Sequence, residues 1–120
     1  MGSKRVFGVK LKLKIMPELQ VKSGQYYYHF KHDPSKGIND QAYLIIGTGV
    51  HTETEEVFVI YKSLYFIQGR RIDKYGADFN VRPIAMFLEQ NFEKDGKIIP
   101  KRFTEIIDEK VIMELKNMTR

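Results

Sequence analysis

The chain has 120 residues, of which 42% are hydrophobic and 29% charged, a composition typical of a soluble domain with its own core. It contains no cysteine, which excludes disulfides and thiolate metal sites. No apolar run approaches the roughly 20 residues of a membrane-spanning helix. We therefore expect one cytoplasmic domain over residues 1–120, without membrane contact.

The net charge of +5 arises in the first part of the chain. Residues 1–50 carry eight basic and three acidic side chains, whereas residues 51–120 carry twelve of each. Residues 9–15, VKLKLKI, alternate apolar residues with Lys10, Lys12 and Lys14, which predicts a half-buried strand. These lysines either keep an edge strand from pairing with other chains or face phosphates, and the first interpretation is favoured.

Two more strands are predicted before the centre of the chain. Four aromatic residues in five predict a strand over Tyr26–Phe30, and turn-forming residues over 31–41 predict a polar loop. Tyr43–Ile46 predicts the next strand. Gly47 and Gly49 then indicate a bulge or bend of the kind that curls a sheet.

Residues 56–66, EVFVIYKSLYF, predict the central strand of the fold, joined to the preceding strand through residues 51–55. Its apolar side chains alternate between two faces, with Val57, Val59 and Tyr61 on one and Phe58 and Ile60 on the other. We expect both faces to be covered, and the apolar stripe of a C-terminal helix to cover the second.

The last part of the chain predicts a mixture of short elements after a polar loop over 69–78. Pro83 can begin a short helix, and Asp95-Gly96 is typical of a two-residue hairpin turn. Thr104 can cap a helix over about 104–117. The predicted fold class is α+β: mainly antiparallel strands in a curled sheet or small SH3-like barrel, with two helices.

These segments also carry a pattern of short motifs. They are Gly24, Tyr27, His29 to Lys31, Tyr43 to Gly47, His51 to Thr54, Glu56, Tyr61, Leu64-Tyr65, Val81 to Pro83, Met86-Phe87, Gly96, Pro100 and Arg102-Phe103. The pattern resembles a mainly bacterial family of uncharacterised proteins, domain-of-unknown-function family 1653, over residues 24–103. The resemblance implies a compact, largely β domain and no particular activity. The chain departs from the family at Tyr28 and Val50, where relatives have arginine, and at Asn80, where they have tryptophan.

A binding surface is the first functional hypothesis. The candidate ligand-binding residues are Tyr28, His29, His51, Glu53, Tyr65 and Arg82. We expect a small non-enzymatic binding module whose ligand the sequence does not identify. Arg82 is expected either to form an ion pair with Glu53 or Glu56 or to contact an anionic ligand, and the ion pair is favoured.

Two alternatives use other residues. Nucleic-acid binding would use exposed tyrosines with Lys10, Lys12, Lys14, Arg70 and Arg71, although aromatics at strand spacing are more typical of a core. An enzyme or metal protein would be centred on His51 with a nearby glutamate. No catalytic signature or dense ligand cluster supports that alternative, so no catalytic residue, metal or cofactor is predicted.

Overall fold

The computed structural model describes residues 20–67, 70–71 and 79–118. The strands are β1 (Tyr26–His29), β2 (Ala42–Val50), β3 (Val57–Ser63), β4 (Phe66–Ile67), β5 (Arg70–Arg71), β6 (Asn80–Pro83), β7 (Gln90–Lys94), β8 (Lys97–Lys101) and β9 (Phe103–Ile106). A 3-10 helix spans Pro34–Lys36, and the α-helices are α1 (Ile84–Phe87) and α2 (Glu109–Met118). The lysine-rich strand predicted over 9–15 lies outside the described residues.

Five strands form one antiparallel sheet in the order β6-β3-β2-β1-β9, and β4-β5 and β7-β8 form two separate ladders. Within the described residues no ladder joins β6 to β9, so neither a closed SH3-like barrel nor a curled sheet is found there. Each edge strand leads into a helix instead of a strand that could join the two edges. The fold is therefore mainly antiparallel β with a C-terminal helix.

The first face of the sheet holds the larger core. Tyr27 of β1, Tyr43 of β2 and Val59 of β3 point to this face and are buried, in agreement with the alternation predicted for the strands. The single turn of α1 adds Phe87, whose side chain is 0% exposed. The short helix predicted after Pro83 is thus confirmed, and it covers this face.

The second face is covered by α2 over only part of its width. Leu115 is 0% exposed and packs with Tyr26, Ala42 and residues nearby, so the helix lies over the β9-β1-β2 end of the sheet. The prediction that this helix covers the second face of the central strand is wrong in extent. Phe58 and Ile60 of β3 stay half-buried, outside the cluster to which α2 contributes.

The start of the C-terminal helix differs from the prediction. Residues 103–106 form β9 and pair with β1, and α2 begins only at Glu109. Asp108, not Thr104, caps the helix, since its Oδ1 accepts a hydrogen bond of 2.9 Å from the backbone N–H of Lys110. Tertiary pairing with β1 therefore overrides a segment that is locally compatible with helix. No helix of the described part of the chain is long and apolar enough to cross a membrane.

Two predicted irregularities are confirmed. The pairing of β2 with β3 shifts between Ile45 and Gly47, so that Ile46 is the extra residue of a bulge. Asp95 and Gly96 connect β7 to β8 with φ angles of 52° and 80°, which is typical of a two-residue hairpin turn.

Candidate functional site

Phe103 lies at the centre of a group of polar and aromatic side chains on the first face. Its ring centroid is 5.1 Å from that of His29, 5.8 Å from that of Tyr43 and 5.7 Å from that of Tyr61. The Cζ atom of Arg82 lies 5.5 Å from the same centroid. We call His29, Tyr43, Tyr61, Tyr65, Arg82 and Phe103 the Phe103 cluster.

Strand register brings these residues together from distant parts of the sequence. His29 of β1 pairs with Phe103 of β9, and Arg82 of β6 pairs with Val59 of β3, whose side chain lies in the first-face core. Directly paired residues of antiparallel strands point to the same face. The cluster is therefore a product of the five-stranded sheet and is absent from any single hairpin.

Arg82 is held in place by neutral partners. Its Nε donates a hydrogen bond of 3.1 Å to Tyr61 Oη, and Nη1 lies 3.2 Å from Met86 Sδ. Among the described residues its guanidinium forms no ion pair, so the pairing predicted with Glu53 or Glu56 is wrong. The reason is position, because the first of these glutamates lies within the β2-β3 turn and the second at its end, whereas Arg82 faces the aromatic core.

His29 is a neutral hydrogen-bonding group at pH 7. Its Nδ1 accepts a hydrogen bond of 3.1 Å from the backbone N–H of Lys31, which places the ring proton on Nε2. Burial lowers the pKa of His29 to about 4, and the positive charge of Arg82 is the next largest cause. Lys31, Arg102 and Lys94 lower the pKa further. No described residue hydrogen-bonds to His29 Nε2.

Tyrosine hydroxyls form a short chain beside the arginine. Tyr43 Oη lies 2.9 Å from Tyr65 Oη and 3.3 Å from Gln41 Oε1. Burial raises the pKa of Tyr43, and its hydrogen bond with Tyr65 raises it further. Tyr61 Oη accepts a hydrogen bond from Arg82 Nε. The cluster therefore combines one cation with the hydroxyl groups of three tyrosines.

Three of the six predicted ligand-binding residues do not join this cluster. Tyr28 points to the second face, where its hydroxyl donates to Ile38 O and its ring stacks on His32 with centroids 3.6 Å apart. His51 and Glu53 lie in the β2-β3 turn, where His51 Nδ1 is 3.3 Å from the backbone N of Glu53 and of Thr54. The geometry of the turn therefore occupies this histidine nitrogen.

The structure brings together His29, Tyr65 and Arg82, and it adds three residues absent from the predicted site. These are Tyr43 and Phe103, which the sequence places only in strands or family motifs, and Tyr61, which it places among the aromatics of the nucleic-acid alternative. Strand alternation alone puts Tyr27 and His29 on one face. The register that aligns this face with Phe103 is a long-range property and has no local signal.

No metal centre emerges from the histidines. Over residues 20–67, 70–71 and 79–118, no group of three or more His, Cys, Asp or Glu side chains is placed to hold a metal ion. The side chains of Arg70 and Arg71, and Lys10, Lys12 and Lys14, lie outside what the structure describes. The side chains of the predicted nucleic-acid residues are therefore not located.

A family model described as Protein of unknown function (DUF1653) matches residues 25–105. The chain belongs to this family. No curated protein and no solved structure matches it. All six residues of the Phe103 cluster lie within the segment that matches DUF1653.

The three residues at which the resemblance predicts a departure from the family pattern lie outside the Phe103 cluster. Tyr28 points to the second face, Val50 is 57% exposed at the end of β2, and Asn80 Nδ2 lies 3.4 Å from Ser63 Oγ.

Proposed function

We propose that this DUF1653 protein is a non-enzymatic binding module that holds a carboxylate or phosphate group of its ligand at Arg82. The observation that carries the proposal is a half-buried guanidinium without an acidic partner among the described residues. A cation removed from water is costly unless it is paired, and an oxyanion ligand would supply the missing pair. The planar fork of arginine also matches the geometry of carboxylate and phosphate groups.

The electrostatic surroundings support an anionic ligand. Arg82, Lys31, Arg102 and Lys94 all lie close enough to His29 to lower its pKa. Arg102 is neutralised by Glu89, with its Nη2 2.6 Å from Glu89 Oε1. Lys31 and Lys94 add positive potential around His29, which belongs to the same cluster as Arg82.

Neutral donors complete the proposed site. His29 Nε2–H and the Tyr65 hydroxyl belong to half-buried side chains of the Phe103 cluster. Low exposure strengthens hydrogen bonds to a bound anion. His29, with a pKa of about 4, and Tyr43, with a raised pKa, do not titrate near neutral pH. The cluster therefore favours binding over acid–base catalysis.

Titration with inorganic phosphate and with acetate tests this proposal, with backbone amide NMR shifts as the readout. We expect saturable shifts at His29, Tyr65 and Arg82, with a Kd on the order of millimolar for such small probes. Arg82→Gln should weaken binding about tenfold or more, since a charged hydrogen bond contributes roughly 1.5–3 kcal/mol. Arg82→Lys should recover part of the affinity.

Lys110→Gln is the matched control, because it removes an exposed charge on α2, which packs on the opposite face. It should leave the phosphate affinity within about twofold of the wild type. Equal loss in Lys110→Gln and Arg82→Gln, or shifts that never saturate, would reject a defined site. Circular dichroism should show that both variants are folded.

Nucleic-acid binding remains the second proposal, with less support. Tyr26, Tyr27, Tyr43 and Tyr61 are buried and present no free ring face for stacking on bases. Gel shifts with single-stranded RNA at two salt concentrations test it, since phosphate contacts weaken steeply as salt rises. Binding that is strong at low salt and lost in Lys10→Gln/Lys12→Gln/Lys14→Gln would support this second proposal.

A further inference from the structure

The second face of the sheet has an apolar groove at the end that α2 does not reach. Its volume is about 260 Å³, and it is lined by Gly49, Val50, His51, Phe58, Ile60 and Val81. Val50 is 57% exposed and Val81 61% exposed. The groove is open and shallow, and its volume suits a few apolar side chains.

The bulge in β2 explains why the groove exists. Past Ile46, Gly47 pairs with Ile60 and Gly49 pairs with Phe58, so both glycines fall on the second face. A Cβ atom on Gly47 would have no atom of the described residues within 4 Å. Gly47 therefore leaves open space over β3, whereas Ile60 Cδ1 lies 3.3 Å from where a Cβ atom of Gly49 would be. Phe58 and Ile60 stay half-buried.

The charge beside the groove is negative. The β2-β3 turn follows directly from Val50 and His51 and carries Glu53, Glu55 and Glu56, all exposed. None of the three carboxylates forms an ion pair with a described residue. A ligand that covers the groove would thus meet an apolar floor with exposed carboxylates at one end, which favours apolar groups combined with positive charge.

The shape of this region favours an extended ligand. Strand β6 forms one edge of the sheet and, in the described part of the chain, pairs only with β3. An edge strand can accept a further strand, whose alternate side chains then point to one face. We propose that the groove is the docking site for an extended segment of a partner protein in which apolar residues alternate with lysine or arginine.

A synthetic peptide tests this directly. The probe is Val-Lys-Leu-Lys-Leu-Lys-Ile with blocked ends, which has the same sequence as residues 9–15 of the chain. It is added to the full chain while amide NMR shifts are followed. We expect saturable shifts at Val50, Phe58, Ile60 and Val81. The analogue with glutamate in place of each lysine should bind at least about tenfold more weakly, because the glutamates of the turn repel it.

Two matched variants separate the groove from general stickiness. Val81→Lys places a cation in the groove, whereas Ile98→Lys makes the same kind of change at a 64% exposed residue of β8. Val81→Lys should weaken peptide binding about tenfold, since it removes apolar contact and repels the lysines. Ile98→Lys should leave binding unchanged.

Several outcomes would overturn the proposal. Equal binding of the two peptides, or equal loss in Val81→Lys and Ile98→Lys, would show nonspecific adsorption. Shifts of the same amides on raising protein concentration without peptide would identify a second copy as the occupant. Binding that appears only in Lys10→Glu/Lys12→Glu/Lys14→Glu would identify residues 9–15 of the same chain as the occupant. Each result excludes a separate basic partner segment.

Discussion

Arg82 and Arg102 each lie over a phenylalanine ring, but only Arg102 has a carboxylate partner among the described residues. The guanidinium of Arg102 lies 4.1 Å from the ring centroid of Phe92, and its Nε and Nη2 donate to Glu89 Oε1 at 3.2 and 2.6 Å. Arg82 lies over Phe103 and donates to Tyr61, without an acidic partner among the described residues. Proximity to an aromatic ring therefore does not decide whether an arginine is paired, because Arg102 has a carboxylate partner and Arg82 has none among the described residues.

The ring beneath each arginine gives the largest expected difference. Phe103→Ala should lower the free energy of unfolding by about 3–5 kcal/mol, because Phe103 is buried at the centre of the first-face core. Phe92→Ala should cost about 1 kcal/mol, since that ring is only half-buried. Urea unfolding of both variants checks this, and equal losses would contradict the central position of Phe103.

Arg82 should affect the contribution of His29 to the pH dependence of stability more than Arg102 does. The pKa of His29 falls from the ordinary 6.5 to about 4 on folding, so the unfolded chain binds the proton first. Stability from this group is present above about pH 6.5 and is lost as the pH falls towards 4. The loss should be about 2 kcal/mol after allowance for partial exposure.

Subtracting the pH–stability curve of His29→Gln from that of the wild type separates the contribution of His29 from that of the carboxyl groups. Arg82→Gln should reduce the difference more than Arg102→Gln, because Arg82 is the larger charged cause of the lowered pKa. The measurement is urea unfolding between pH 4 and 7. A wild-type curve parallel to that of His29→Gln would show that the histidine is protonated equally in both states.

The ion pair itself should make the smallest contribution. Glu89 is 41% exposed, so Arg102→Gln should cost less than about 1 kcal/mol, and the cost should shrink further at high salt. Arg82→Gln should change stability by a similar or smaller amount at low salt, because its positive charge has no carboxylate to lose. Thermal unfolding at low and high salt checks both variants, and a salt-independent Arg102→Gln effect would contradict an electrostatic origin.

Local patterns predicted most strands and one turn. The apolar run of β3 and the aromatic run of β1 were sufficient to predict these strands, because β-branched and aromatic residues favour strands. The start of α2 was not predicted correctly, since Thr104 is locally a good helix cap. Only the pairing of Thr104 with Tyr28 shows that Thr104 belongs to a strand. The sheet pairing that decides this boundary involves residues more than seventy positions apart in the sequence.

The candidate site was predicted less well for the same reason. Tyr28 and His29 were assigned to one surface, although neighbours on a strand must point to opposite faces. Arg82 was expected near the glutamates of the turn, and its position opposite Val59 follows from register alone. The sequence supplies the residue types of a site, whereas register decides which of them meet.

The extra residue in β2 has a consequence for changes in chain length. Ile45 pairs with Tyr61 and Gly47 with Ile60, so Ile46 has no partner on β3. Its removal would leave residues 47–50 opposite their present neighbours, because the alternation on either side already agrees with a strand one residue shorter. A deletion elsewhere in β2 would instead turn the following residues over. Natural or engineered shortening of β2 is therefore tolerated best at Ile46, because the side chains on either side of it keep the sheet faces to which they point.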